Sequence, residues 1–204
     1  MESRARTARF VAGFAVVAFA GCSSNTSGKT ELALPSLTHE TLPSVRDTFN
    51  ATLDRPRLIV FFSSACASCD TGSAALQAML QKLPTPAEVF AVWEPIAASD
   101  PPPTSHMLGN LKDPRVHQLW DPAHIISGEM RAAELAHPSS PAQARTRTDS
   151  LPDGIMYDTM AVFAPGARWE ATLPAADYLE VGLEAKLDEL RRQLERIAKK
   201  IRSE

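Results

Sequence analysis

Three cysteines are all that 204 residues provide, and there is no second C-x-x-C pair. A structural zinc site needs four nitrogen or sulfur ligands, so that reading lacks partners. The chain also lacks a basic motif and any excess of positive charge: its formal net charge is −3. Nucleic acid is therefore not an expected partner. No apolar run is long enough to stay in a bilayer as a permanent helix. What remains is ordinary globular material, 44% hydrophobic and 22% charged, with enough length for one domain and a sizeable core.

The longest uncharged run comes first. Arg4, Arg6 and Arg9 make a positive start, Phe10 to Ala20 is apolar, and small residues Ala20 and Gly21 precede Cys22. This pattern reads as a secretory signal over residues 1–21 rather than as part of the fold. The segment Phe19-Ala20-Gly21-Cys22 resembles a bacterial lipobox, which implies lipid on Cys22 and a mature N-terminus there. The resemblance places the chain in the cell envelope, facing the periplasm and anchored to a bacterial membrane. Losing Glu2 with three arginines removes a net +2 and leaves the mature chain at about −5. Residues 22–42, mostly Ser, Thr, Asn, Gly and Pro, are expected to be a flexible tether, and residues 43–204 the domain.

The domain is organised around Arg57 to Asp70. Leu58-Ile59-Val60-Phe61-Phe62 is uncharged, branched and aromatic, as in a strand covered on both faces. Cys66-Ala67-Ser68-Cys69 follows, and Leu76, Met79, Leu80 and Leu83 then recur at helical spacing until Pro84. Two thiols at a helix start sit where unpaired N–H groups and the dipole favour an anion, and the thiolate is the reactive form. Cys66 is assigned the attacking sulfur and Cys69 the resolving one, with both sulfurs expected to be open to solvent. A bridge across so short a loop removes little chain entropy, so a purely structural disulfide would be a weak staple. A strand running into C-x-x-C and a helix resembles the active-site segment of the thioredoxin superfamily. The resemblance implies an α/β, three-layer sandwich with a central mixed sheet.

Around that segment, Ser44 to Leu53 reads as a helix with Val45, Phe49 and Leu53 on one face, and Glu88 to Trp93 as a second core strand. The resulting strand–helix–strand unit should cross right-handed between parallel strands. Residues 94–153 are expected to be a helical insert. Pro101-Pro102-Pro103 forbids regular structure early in it, Asp113-Pro114 opens a short helix toward Asp121, Ile125 to Leu135 is another helix, and residues 137–153 form a loop. Val92-Trp93-Glu94-Pro95 and the block Asp113 to Asp121 resemble a bacterial group of thioredoxin-like proteins. Met156 to Ala164 should be a strand, turned by Pro165-Gly166 into a returning strand over Ala167 to Glu170. Thioredoxin folds place a cis-proline before this strand, where Asp158-Thr159 stands here. They also often place a buried acid where Val60 stands. The long C-terminal helix, about 180–202, carries Leu183, Leu187, Leu190, Leu194, Ile197 and Ile201 as a narrow seam; its first half is expected to pack on the sheet and the rest to overshoot the domain, either pairing with a partner helix in self-association or fraying as a surface helix.

Three functions from different classes fit these residues. The first is an extracytoplasmic thiol–disulfide oxidoreductase acting on protein thiols or disulfides through Cys66 and Cys69, without cofactor or resident metal. The second is a Cu(I) metallochaperone using the same two soft sulfurs, for which a thioredoxin-fold copper carrier would add a histidine near the late hairpin. His39, His106, His117, His124 and His137 all lie away from that hairpin in sequence. The third is a tethered interaction module whose redox chemistry has lapsed.

Overall fold

The computed structural model describes residues 34–84, 86–137 and 156–201. The expected signal segment, Cys22 and most of the 137–153 loop lie outside the described residues. In chain order the elements are α1 (Leu42–Asn50), β1 (Arg57–Phe62), α2 (Ala67–Lys82), β2 (Glu88–Trp93), α3 (Ser105–Leu108), β3 (Val116–Trp120), α4 (Ile125–Ala136), β4 (Thr159–Phe163), β5 (Tyr178–Val181) and α5 (Leu183–Ile201). The five strands form one sheet in the order β3-β2-β1-β4-β5. β1 pairs parallel with β2, and β2 parallel with β3. β4 runs antiparallel to both β1 and β5, so the sheet is mixed.

Alternation along the central strands sends side chains to two cores. Leu58, Val60 and Phe62 face one way, joining Leu76 and Leu80 of α2 and Leu183, Leu190 and Leu194 of α5. Ile59 and Phe61 face the other, joining Phe49 of α1 and Ile126 and Met130 of α4. Every residue of β1 and β2 is buried, as the uncharged runs required. On the second face Phe49 meets Phe163 edge-on at 5.3 Å and Trp169 at 5.7 Å, geometries that aromatic quadrupoles favour.

Four expectations need correction. Residues 34–42 are not tether: Leu37 is 5% exposed and donates its N–H to the Trp120 carbonyl, while Ser36 bridges Trp120 in parallel. This strip covers the β3 edge at Trp120, the end of the strand. The block after Asp113-Pro114 is strand β3, not a helix. The Asp113 carboxylate accepts the N–H of Arg115 and pairs with its guanidinium at 2.7 Å, an Asx-type turn that ends in pairing with β2. The strand returning from β4 is Tyr178–Val181, not Ala167–Glu170. That earlier segment is pinned to α1 instead, where Asn50 exchanges two hydrogen bonds with the Trp169 backbone at 2.8 and 2.9 Å. Finally, α5 does not leave the domain after its first half: Leu190, Leu194 and Ile197 are buried and Leu187 is half-buried against the same core.

Candidate functional site

The two cysteines stand at the carboxyl end of the central strand. β1 stops at Phe62, and Ser63 folds the chain back: its carbonyl accepts the Cys66 N–H at 3.3 Å and its hydroxyl accepts the Ala65 N–H at 3.3 Å. Ser64 Oγ donates to the Pro101 carbonyl, tying this loop to the proline run. Cys66 then takes the N-cap position of α2 with extended backbone angles, φ −94° and ψ 113°. Its carbonyl accepts the Cys69 N–H at 3.1 Å.

Cys66 and Cys69 form a disulfide, with Cα atoms 5.3 Å apart, a separation that such bonds span. Their surroundings differ. Cys69 is 1% exposed, among Leu58, Val60, Phe62 and Leu76. Its Sγ accepts one hydrogen bond, from the Ser63 N–H at 3.4 Å. Cys66 is 9% exposed, its Sγ is 3.2 Å from Ser68 Oγ, and Ala65, Ala67 and Ser68 around it are exposed. The sequence led to two sulfurs open to solvent. The structure opens only the rim at Cys66, because Cys69 lies one helical turn inward, on the core face.

Opposite Ser68 stands Asp158, in the turn before β4. It has a left-handed backbone, φ 56°, a conformation that Asp tolerates better than most residues. Its carbonyl accepts the Gly182 N–H at 2.8 Å, and its carboxylate accepts the Leu183 N–H at 3.0 Å at the start of α5. Burial, with Glu184 adding repulsion, holds the Asp158 carboxyl above the usual range. Asp158, Ser68, Gly182, Glu184 and Ala185 line a groove of about 430 Å³. Thr71 Oγ1 donates to Glu184 at 2.9 Å and closes the groove between α2 and α5. So the residue where a cis-proline was expected faces the C-x-x-C turn, with its carboxylate engaged in capping a helix. Val60, where an acid was expected, is fully buried among apolar side chains.

The histidines go elsewhere. His106 is exposed, 3.8 Å from Asp70. His117 lies on β3, stacked on Phe90 at 5.1 Å and 2.6 Å from Glu88. His124 joins a buried group that sequence reading missed, in which Glu94 and Asp121, both 0% exposed, end β2 and β3. The Asp121 carboxylate accepts the N–H groups of Ile125 and Ile126 at 2.9 and 2.8 Å, capping α4. Glu94 accepts from the Met156 N–H at 2.7 Å and the Ser127 hydroxyl, and is 3.2 Å from His124 Nδ1. The hydrogen bond that the imidazole donates to Glu94, opposed by burial, raises His124 above its usual value. The available signal was an acid between a buried strand and Pro95, where a charge must find partners. Among the described residues, no three His, Cys, Asp or Glu side chains gather as a metal site would require.

Sheet order, a parallel β1 that delivers C-x-x-C to the first turn of α2, the antiparallel β4–β5 pair and the closing α5 together decide the architecture. The fold is thioredoxin-like. The chain is similar to a thioredoxin-like protein solved in solution in its oxidised form, at 16% identity over 72% of this chain and 79% of that one, TM-score 0.44. It is also similar to BsSco, a member of the Sco family of cytochrome c oxidase assembly proteins in which a disulfide switch was identified. That match has 12% identity over 73% of this chain and 84% of that one, TM-score 0.44. No protein-family model and no curated protein matches the sequence.

Proposed function

We propose that this chain is an extracytoplasmic thiol–disulfide oxidoreductase, held to a bacterial membrane by lipid on Cys22, that exchanges disulfides with proteins through Cys66 and Cys69. The observation that carries the chemistry is the Cys66–Cys69 bridge at the N-terminus of a 16-residue helix, one sulfur at the rim and the other buried. The signal pattern before Cys22 supports the location.

A client thiolate attacks Cys66 Sγ. The client–Cys66 bond forms, the Cys66–Cys69 bond breaks, and its electron pair leaves on Cys69 Sγ beside the Ser63 N–H. A second client thiolate then attacks the mixed disulfide and releases Cys66. The client is oxidised by two electrons and the pair reduced; a disulfide-bearing redox partner restores it. Starting from the dithiol, the same steps run in reverse and reduce a client disulfide.

The test is Cys69→Ser in cells. Cys66 should accumulate mixed disulfides, seen as adducts that dissolve on reduction and vanish when Cys66 is also replaced. A variant that captures nothing in its native envelope overturns the reading. The two sulfurs also suit Cu(I), and stoichiometric uptake in an anaerobic titration of the reduced protein would favour copper delivery instead.

A further inference from the structure

Glu94 is a fully buried carboxylate at the end of a strand whose other residues are all buried too. An apolar residue there would avoid the cost of stripping water from a charge. Helix capping does not account for it, because Asp121 already takes the first N–H groups of α4. What Glu94 does reach is both walls of the redox site. Its N–H donates to the Phe62 carbonyl at 2.9 Å. That carbonyl belongs to the same peptide plane as the Ser63 N–H, which points at Cys69 Sγ. Its carboxylate holds the Met156 N–H, two residues before Asp158, which shares the groove with Ser68. Ser127 and His124 fix the carboxylate from the α4 side.

We propose that Glu94 is a positioning residue of the redox site: by gripping Met156 it sets the Tyr157–Asp158 turn against Ser68, and so shapes the groove in which a client chain lies beside Cys66. This rests on the oxidoreductase reading. The carboxylate touches no sulfur and takes no part in bond exchange. Its effect falls on substrates large enough to lie in the groove.

The reduced protein is tested with two disulfides, insulin as the protein substrate and 5,5′-dithiobis(2-nitrobenzoate) as a small one. Glu94→Leu keeps the volume and removes the acceptor. It should raise KM for insulin about tenfold, as a misplacement on the order of 1 Å can do, while slowing the small disulfide less than about threefold. Glu94→Gln keeps an oxygen for Met156 and should recover most of the loss. Amide exchange gives a second readout: Met156, Tyr157 and Asp158 should exchange about tenfold faster in Glu94→Leu than in wild type. A folded Glu94→Leu with unchanged insulin kinetics, or with both disulfides slowed alike, overturns the proposal. If Glu94→Leu fails to fold, the wild-type protein decides, since a Met156 amide exchanging as fast as in an unstructured peptide refutes the grip. Wild-type protein inert toward both disulfides would sink the oxidoreductase reading itself, while amide exchange would still report on Glu94.

Discussion

Arg57 opens β1 as a cation with no carboxylate in contact among the described residues, 0% exposed, and replacing it by Met tests how such a charge is tolerated. Its guanidinium donates to the carbonyls of Arg55 at 2.7 Å and of Ala167, with a longer bond to Thr52 at 3.4 Å. It also lies 4.8 Å over the Phe49 ring. Burial lowers the guanidinium to about 10, with the Asp177 charge acting against it. That depression corresponds to a cost of about 3 kcal/mol for keeping the charge. Against it stand two close charge-assisted bonds at about 1.5–3 kcal/mol each and a desolvated cation–π contact of about 1–2 kcal/mol. At the middle of these ranges the favourable side wins by about 3 kcal/mol, so Arg57→Met, which keeps the stem and loses the donors, should destabilise by roughly that amount. In a domain of this size that lowers Tm by about 5–10 °C. Urea unfolding followed by tryptophan emission measures it, since Trp169 sits two residues past one of the gripped carbonyls. Arg57→Met as stable as wild type, at the same urea slope, would mean that desolvation dominates and that the clasp between the α1–β1 connection and residue 167 is ornamental.

Two further outcomes follow from single positions. Gly72 lies inside α2, and an added Cβ would meet Leu183 Cδ2 at 3.5 Å, an ordinary contact. Gly72→Ala should therefore stabilise by about 0.5–1 kcal/mol in chemical denaturation, and a loss would show that α2 and α5 have no room. His124 is raised by the hydrogen bond it donates to Glu94, so its protonated form favours the folded state. That contribution is complete below about pH 6.5 and fades as pH rises through the folded value. Urea midpoints of wild type minus His124→Gln should show this decline between mildly acid and mildly alkaline pH, and a flat difference would contradict it.

The parts legible in the sequence are those fixed by local chemistry. Leu58 to Phe62 and Val89 to Val92 have no polar face, so they had to be covered strands, and the run from Cys66 to Leu83 carries its helical period openly. The misread parts were decided by partners far along the chain. Val116 to Leu119 are all half-buried, with no alternation to mark a strand, and the run follows a good helix start. Only pairing with β2, and the Gln77 side chain accepting the N–H groups of Lys112 and Asp113 at 2.7 and 3.0 Å, makes it a strand. Pro165-Gly166 does turn the chain, with Gly166 at φ 85°. The segment after it leaves the sheet because Asn50 and Arg57 hold its backbone. Leu34 and Leu37 were hidden in polar company, and Glu94 shows its purpose only once Met156, 62 residues away, lies beside it.

The order of the cysteines in the chain is a weak reason for proposing Cys66 as the attacker, and the surroundings of the two sulfurs support that proposal better. A thiolate needs donors or water. Cys69 has one backbone N–H and is 1% exposed within the core cluster that holds Leu58, Val60, Phe62 and Leu76. Cys66 has the helix N-terminus, the Ser68 hydroxyl and an exposed rim. Negative charge is therefore cheaper on Cys66 in the reduced state. It appears on Cys69 only when the bridge opens, at the one position where the Ser63 N–H already points. On the proposed oxidoreductase reading, the same asymmetry assigns the mixed disulfide to Cys66, the sulfur beside the exposed rim.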